Sequence, residues 1–203
     1  VSGSRNFGTL SQMKRDMMAE VAATLAFSTI ANNDKVGVIF FSDKIEKYIP
    51  AQKGKTHVLH IIRELLSFEP NSKGTDMAQA LQYFANAQKR HCTAFLISDF
   101  IGAGAVDKPL LIASNRHEVN AIQIYDRREA ELPNIGLVKF HDAESDKDLW
   151  IDTSLATVRD DYAQAWKQNQ DLLEQLFTRT GVNHISVRTD EDYVKALMHL
   201  FRC

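Results

Sequence analysis

Cysteine is scarce in this chain. Cys92 and Cys203 are the only two among 203 residues. They stand far apart and match no zinc-ligand spacing. The sequence permits a single bridge between them, but two free thiols in a reducing, cytoplasmic compartment are the preferred expectation. A long apolar run is also missing, so this stretch is expected to insert into no membrane. No signal peptide is visible. Val1 is a poor natural start, and the chain is expected to be a fragment of something longer.

An excess of basic charge is absent too. Lys and Arg number 24 against 26 Asp and Glu, for a net charge of −2. Without a cluster of cations there is no track for a phosphate backbone, and no nucleic-acid partner is expected. Lys89-Arg90 and Arg127-Arg128 are isolated pairs that read as solvated ends of elements. There is no GxxxxGK followed by Ser or Thr, no GxGxxG and no GxSxG. Nor is there a second run of carboxylates to build a two-metal site. The seven histidines have no obvious nucleophile beside them. His91, His117, His141 and His199 fall at element ends or on polar faces, where solvated structural roles are expected. One enzyme alternative stays open, a metal-assisted phosphohydrolase or nucleotide-binding α/β domain, because Ser2-Gly3-Ser4 at a helix entrance could cradle phosphate with backbone amides.

What is present is an alternation of strand and helix. Met13, Met17, Val21 and Leu25 recur at helical spacing over 10–33, widened by Met18, Ala22 and Ile30. Thr9 and Gln12 fit a capping box. KVGVIFF at 35–41 is apolar on both faces, as in a buried parallel strand. IEKYI at 45–49 alternates and stops at Pro50, the pattern of an antiparallel edge strand. Helices follow over 56–68, with Val58, Ile61, Ile62, Leu65 and Leu66 inward, and from near Asp76. TAFLI at 93–97 is a second continuously apolar strand. A helix near 107–116 and a strand over 119–125 make a further unit. Residues 136–153 read as a hairpin added to the sheet edge around Glu144-Ser145-Asp146-Lys147. A long helix over 156–180 ends at Gly181, its inward face carrying Val158, Tyr162, Ala165, Leu172, Leu173, Leu176 and Phe177. A strand over 183–187 and a helix over 190–201 close the chain, the helix turning Tyr193, Val194, Leu197, Leu200 and Phe201 inward. Trp150 and Trp166 are expected to be partly buried. The order implies one α/β domain over 1–203, with a mostly parallel, doubly wound sheet, helices on both faces, one antiparallel edge strand and a C-terminal hairpin addition.

Ligands in such sheets bind beyond the carboxyl ends of the strands. Three stretches fall there: Ser2-Gly3-Ser4, Gly74-Thr75-Asp76 and Ser98-Asp99-Phe100. Each has a bland use as turn or cap. Asp99 is the least bland, because a carboxylate leaving an apolar strand needs a partner. Together Ser2, Ser4, Thr75 and Asp99 offer hard oxygen donors with little negative charge. Such a set suits Mg²⁺, or Mn²⁺, and not zinc. Few carboxylates would leave the ion underneutralised, so it would attract an acidic residue from a protein partner.

VSGS, GTD and SDF resemble the metal-ion-dependent adhesion site of von Willebrand factor type A domains, whose motif is Asp-x-Ser-x-Ser, a later Thr and a later Asp. Ser2, Ser4, Thr75 and Asp99 match. The first Asp would stand just before Val1, preceded by a central strand, and this chain has neither. The resemblance implies that their loss exposes two strand edges and weakens the metal site. FGT, NNDKVGVIFFSDKIEKYIPAQKG, HVLHIIREL and DEDYVKALMHLFR resemble the bacterial domain-of-unknown-function 58 family found alongside MoxR-type AAA+ ATPases. That resemblance implies a vWA-like, Rossmann-type fold. It also implies a non-catalytic Mg²⁺-dependent interaction domain, an adaptor partner of a MoxR-type ATPase.

Overall fold

The computed structural model describes residues 3–70, 74–102, 105–142 and 147–201, the side chains of 3–12, 140–142 and 147–148 excepted. In chain order its elements are α1 (Gly3–Ala31), β1 (Val36–Phe41), β2 (Ile45–Gln52), α2 (Lys55–Ser67), α3 (Met77–Ala87), β3 (Thr93–Ser98), α4 (Asp107–Ser114), β4 (Glu118–Tyr125), α5 (Arg127–Ala130), β5 (Leu137–Asp142), β6 (Lys147–Asp152), α6 (Ala156–Thr180), β7 (Asn183–Arg188) and α7 (Tyr193–Leu200).

Apolar alternation sets the layers. In β4, Val119 and Ala121 face one way and Ile122 and Ile124 the other, and all four are buried. Burial on both faces suits a parallel sheet covered by helices on each side, and β4 is its central strand, paired in parallel with both β3 and β7. On one face Val21, Met17, Met18 and Leu25 of α1 and Leu197 and Leu200 of α7 meet Ile122, Ile124 and Val187. On the other, Met77 and Leu81 of α3, Leu110 and Ala113 of α4, and Leu176 and Phe177 of α6 cover Val119 and Ala121.

β1 and β2 form a separate antiparallel pair. Its core joins Phe40 and Ile49 to Val58 and Ile61 of α2 and Ala26 of α1. α1 therefore packs on both sheets. A register shift falls at Gly37, where an added Cβ would meet the Ile49 carbonyl oxygen at 2.7 Å and the Ala51 nitrogen at 2.8 Å. Only glycine fits that approach. β1 has a ladder partner only in β2, and β3 only in β4, so each keeps one unpaired edge among the described residues.

Several expectations are corrected. Among the described residues the sheet is not one continuous ladder: the parallel part is three strands, and the two antiparallel pairs stand as sheets of their own. The β5–β6 hairpin forms as expected, but among the described residues it pairs only with itself and is not added to the sheet edge. α1 starts at Gly3, which places Thr9 inside the helix rather than at its cap. β2 continues through Pro50 to Gln52, which an edge strand tolerates. Leu66, Ala165, Leu172, Val194 and Phe201 are exposed, not inward, and so is Trp150. Trp166 is half-buried against Tyr125. His117 is buried, not solvated.

Candidate metal site

β3 delivers Asp99 to the carboxyl end of the parallel sheet, and the next residue fixes it there. Phe100 has φ of 56°, a left-handed conformation that a bulky residue rarely adopts. Burial holds it: Phe100 is 5% exposed and its ring meets Phe177 edge-on. The Phe100 N–H donates to Ser98 Oγ at 3.1 Å, and the Ile101 N–H donates to Asp99 Oδ1 at 3.2 Å. Gln123 Nε2 on β4 donates to the Asp99 carbonyl at 3.4 Å. Strain of this kind costs about 1–3 kcal/mol and persists only where packing over-determines it.

The second oxygen of Asp99 accepts from Lys14. Lys14 Nζ lies 2.8 Å from Asp99 Oδ2 and 2.5 Å from Glu129 Oε1. Its side chain is 12% exposed, against 31% for Asp99 and 22% for Glu129, so the ammonium is the most enclosed of the three. Burial works to lower the Lys14 pKa, but the field of Asp99 and the bonds to Asp99 and Glu129 outweigh it, and the net shift is upward. Lys14 is thus held as a cation.

Glu129 is positioned independently of Lys14. It belongs to a capping box on α5, where Glu129 Oε2 accepts from the Asp126 N–H at 3.1 Å and Asp126 Oδ1 accepts from the Arg128 N–H at 2.8 Å. Thr189 Oγ1 donates to Asp126 Oδ2 at 2.8 Å, and Ser186 Oγ to Gln123 Oε1 at 2.8 Å. A belt of satisfied polar groups therefore crosses the carboxyl ends of β3, β4 and β7. Tyr162 on α6 ties into it by donating to the Arg128 carbonyl at 3.2 Å.

Thr75 is exposed and free of capping duty. Asp76 is the N-cap of α3, accepting from the Gln79 N–H at 2.8 Å, while its own N–H donates to the Ser42 carbonyl at 2.7 Å. Phe41, Met77 and Phe100 belong to one apolar cluster, so the segments next to Ser42, Thr75 and Asp99 share packing. Ser2 lies outside the described residues; Ser4 lies within α1, its side chain also outside them. Among the described residues no three His, Cys, Asp or Glu side chains converge as metal ligands; the expected set is built mainly on hydroxyls. The position does fit a positive charge, because an ammonium already stands against Asp99.

Lys14, Asp126 and Glu129 were not singled out from the sequence. The Asp126-x-x-Glu129 spacing after an apolar strand is a capping-box signal that could have found two of them. Lys14 carries no local signal on an amphipathic helix. At the opposite, amino ends of β3 and β4, His117 is buried with Nε2 unpartnered among the described residues, and its Nδ1 is 3.6 Å from Cys92 Sγ. A hollow of about 170 Å³ there is lined by Gln88, Lys89, Arg116 and His117. Burial raises the Cys92 pKa, keeping it a thiol.

A family model described as "Protein of unknown function DUF58" matches residues 1–172. An uncharacterized protein of Mycobacterium tuberculosis is 31% identical over 198 residues, covering 96% of this chain and 62% of that protein. An uncharacterized protein of Mycobacterium avium is 30% identical over 158 residues, covering 76% of this chain and 92% of that protein. The chain thus spans less than two thirds of the length of the M. tuberculosis relative. Among solved structures it resembles the conserved hypothetical protein BatB from Bacteroides thetaiotaomicron, with TM-score 0.52 and 16% identity over 91% of this chain and 86% of that one. It also resembles an aerotolerance-related membrane protein from Bacteroides fragilis, with TM-score 0.57 and 16% identity over the same shares. At such identity the likeness is one of fold alone. No helix among the described residues is long and apolar enough to cross a membrane.

Proposed function

The chain belongs to the DUF58 family, and we propose that within it this is a non-catalytic, metal-ion-dependent protein-interaction domain of the von Willebrand factor type A kind. The observation that carries the reading is Asp99: a carboxylate at the carboxyl end of a parallel strand, fixed by a strained neighbour and already facing a cation. Asp99, Thr75, Ser2 and Ser4 would hold Mg²⁺ or Mn²⁺ through oxygen. Bound there, the ion would supply an underneutralised positive centre for a carboxylate of another protein. Phe100 and Ile101 orient Asp99, and the Asp76 cap leaves the Thr75 hydroxyl uncommitted to the helix.

The partner in this reading is a protein offering an acidic residue, with a MoxR-type AAA+ ATPase the specific candidate from the family resemblance. A cytoplasmic location goes with it and rests on the scarcity of cysteine. The test is calorimetric titration with Mg²⁺ and Mn²⁺ of the chain, and of a form extended upstream so that Asp precedes Val1. Saturable binding that is lost in Thr75→Ala and Asp99→Ala is the expected result. Binding untouched by both substitutions, or none in the extended form, would sink the reading.

A further inference from the structure

We propose that Lys14 is a tethered counter-ion shared between Asp99 and Glu129, which releases Asp99 and keeps Glu129 when a divalent cation enters, so that metal binding and the Lys14–Asp99 pair exclude one another. The inference rests on the metal-site reading above and adds its regulation.

One ammonium facing two carboxylates is the key fact. The group of three carries one negative charge in excess, which favours a further positive charge. An enclosed ammonium is tolerated only while it keeps an acceptor. Glu129 provides that acceptor whether or not Asp99 is free, because the α5 capping box orients it without help from Lys14. The flexible four-carbon stem of lysine allows the small shift from two acceptors to one. Asp99 keeps its bond from the Ile101 N–H in either state and stays aimed outward. Exchanging the ammonium for a dication at Asp99 turns a local excess of negative charge into an excess of positive charge. That is the sign an acidic partner needs. Glu129 is therefore the residue that sets how readily the metal enters, although it touches no metal.

The reading makes paired predictions of opposite sign. Calorimetric Mg²⁺ titration would compare the full-length protein with Lys14→Met, Glu129→Gln and the double variant. Lys14→Met removes the competitor, and affinity rises about tenfold, the scale of one charge-assisted hydrogen bond. Glu129→Gln leaves Lys14 with Asp99 as its only carboxylate, and affinity falls several-fold. In the double variant the Glu129→Gln effect disappears. Lys14→Arg, which keeps the charge and forks onto the carboxylates, lowers affinity and covers the case in which Lys14→Met folds poorly. A structural role for Lys14 predicts weaker binding in Lys14→Met, and simple long-range attraction predicts that Glu129→Gln acts equally in both backgrounds. Either outcome overturns the proposal. Equal Mg²⁺ affinity in the parent, Lys14→Met and Lys14→Arg overturns the counter-ion exchange while leaving the site standing. Absence of binding from all forms overturns both.

Discussion

The rings of Phe100 and Phe177 meet nearly perpendicular, with centroids 5.3 Å apart. One belongs to the residue after Asp99, the other to the buried face of α6. The contact joins the strained turn at the end of β3 to the longest helix packed on that face of the sheet. Replacing Phe100 with Ala removes both the contact and the burial that holds φ positive. The expected loss is about 3–5 kcal/mol, read by urea unfolding. A loss below about 1 kcal/mol would mean that the turn is held by its hydrogen bonds alone.

Asp76 offers a cleaner separation. Asp76→Ala deletes the N-cap of α3 and should cost about 1 kcal/mol of stability. Thr75→Ala, at an exposed position with no capping bond, should stay within about 0.5 kcal/mol of the parent. Urea midpoints for the two variants test the difference. Equal losses would show that Thr75 has a structural part.

Gly37 lies at the register shift between β1 and β2, where the β2 backbone leaves no room for a Cβ. In Gly37→Ala the new methyl group meets the β2 backbone at Ile49 and Ala51, and backbone cannot swing aside as a flexible side chain can. Overpacking of this kind costs about 1–3 kcal/mol. Hydrogen exchange should show faster amides in β1 and β2, with β4 and β7 unchanged. Uniform acceleration would mean that the two sheets unfold as one.

His117 predicts a dependence on pH. Burial, then His91 and Arg116, lower its pKa below the ordinary value of 6.5. The folded state therefore disfavours the proton that the unfolded state accepts. The contribution to stability is complete above pH 6.5 and is lost as pH falls through the lowered folded value. Melting temperatures from pH 8 to pH 5 should drop more for the parent than for His117→Asn. Parallel curves would assign the acid loss to other groups.

The sequence exposed the fold well where burial is two-sided. Val119 to Ile124 is apolar or satisfied by cross-strand partners, and no other element suits it. Gly181, in the left-handed region at the end of α6, was readable for the same kind of reason: few residues do that job. The end of α1 was harder to miss than its start, because Asn33 takes φ of 54°, whereas nothing between Gly3 and Leu10 forbids helix. Asp99 could be found as a carboxylate leaving an apolar run. Lys14 could not, since its meaning comes from residues 85 and 115 positions away. Trp150 misled because alternation shows which residues share a face but not whether that face is covered.

The division of the strands between two ladders has a consequence for cooperativity. No backbone ladder among the described residues runs from the β1–β2 pair into β3–β4–β7. What couples them is α1, with Met17, Val21 and Leu25 on one sheet and Ala26 and Ile30 on the other, together with Phe41 against Met77 and Phe100 and the bond from the Asp76 N–H to the Ser42 carbonyl. A helix that straps two otherwise separate units sets whether they melt together or in turn. Loosening of α1 between Val21 and Ala26 would turn one unfolding transition into two.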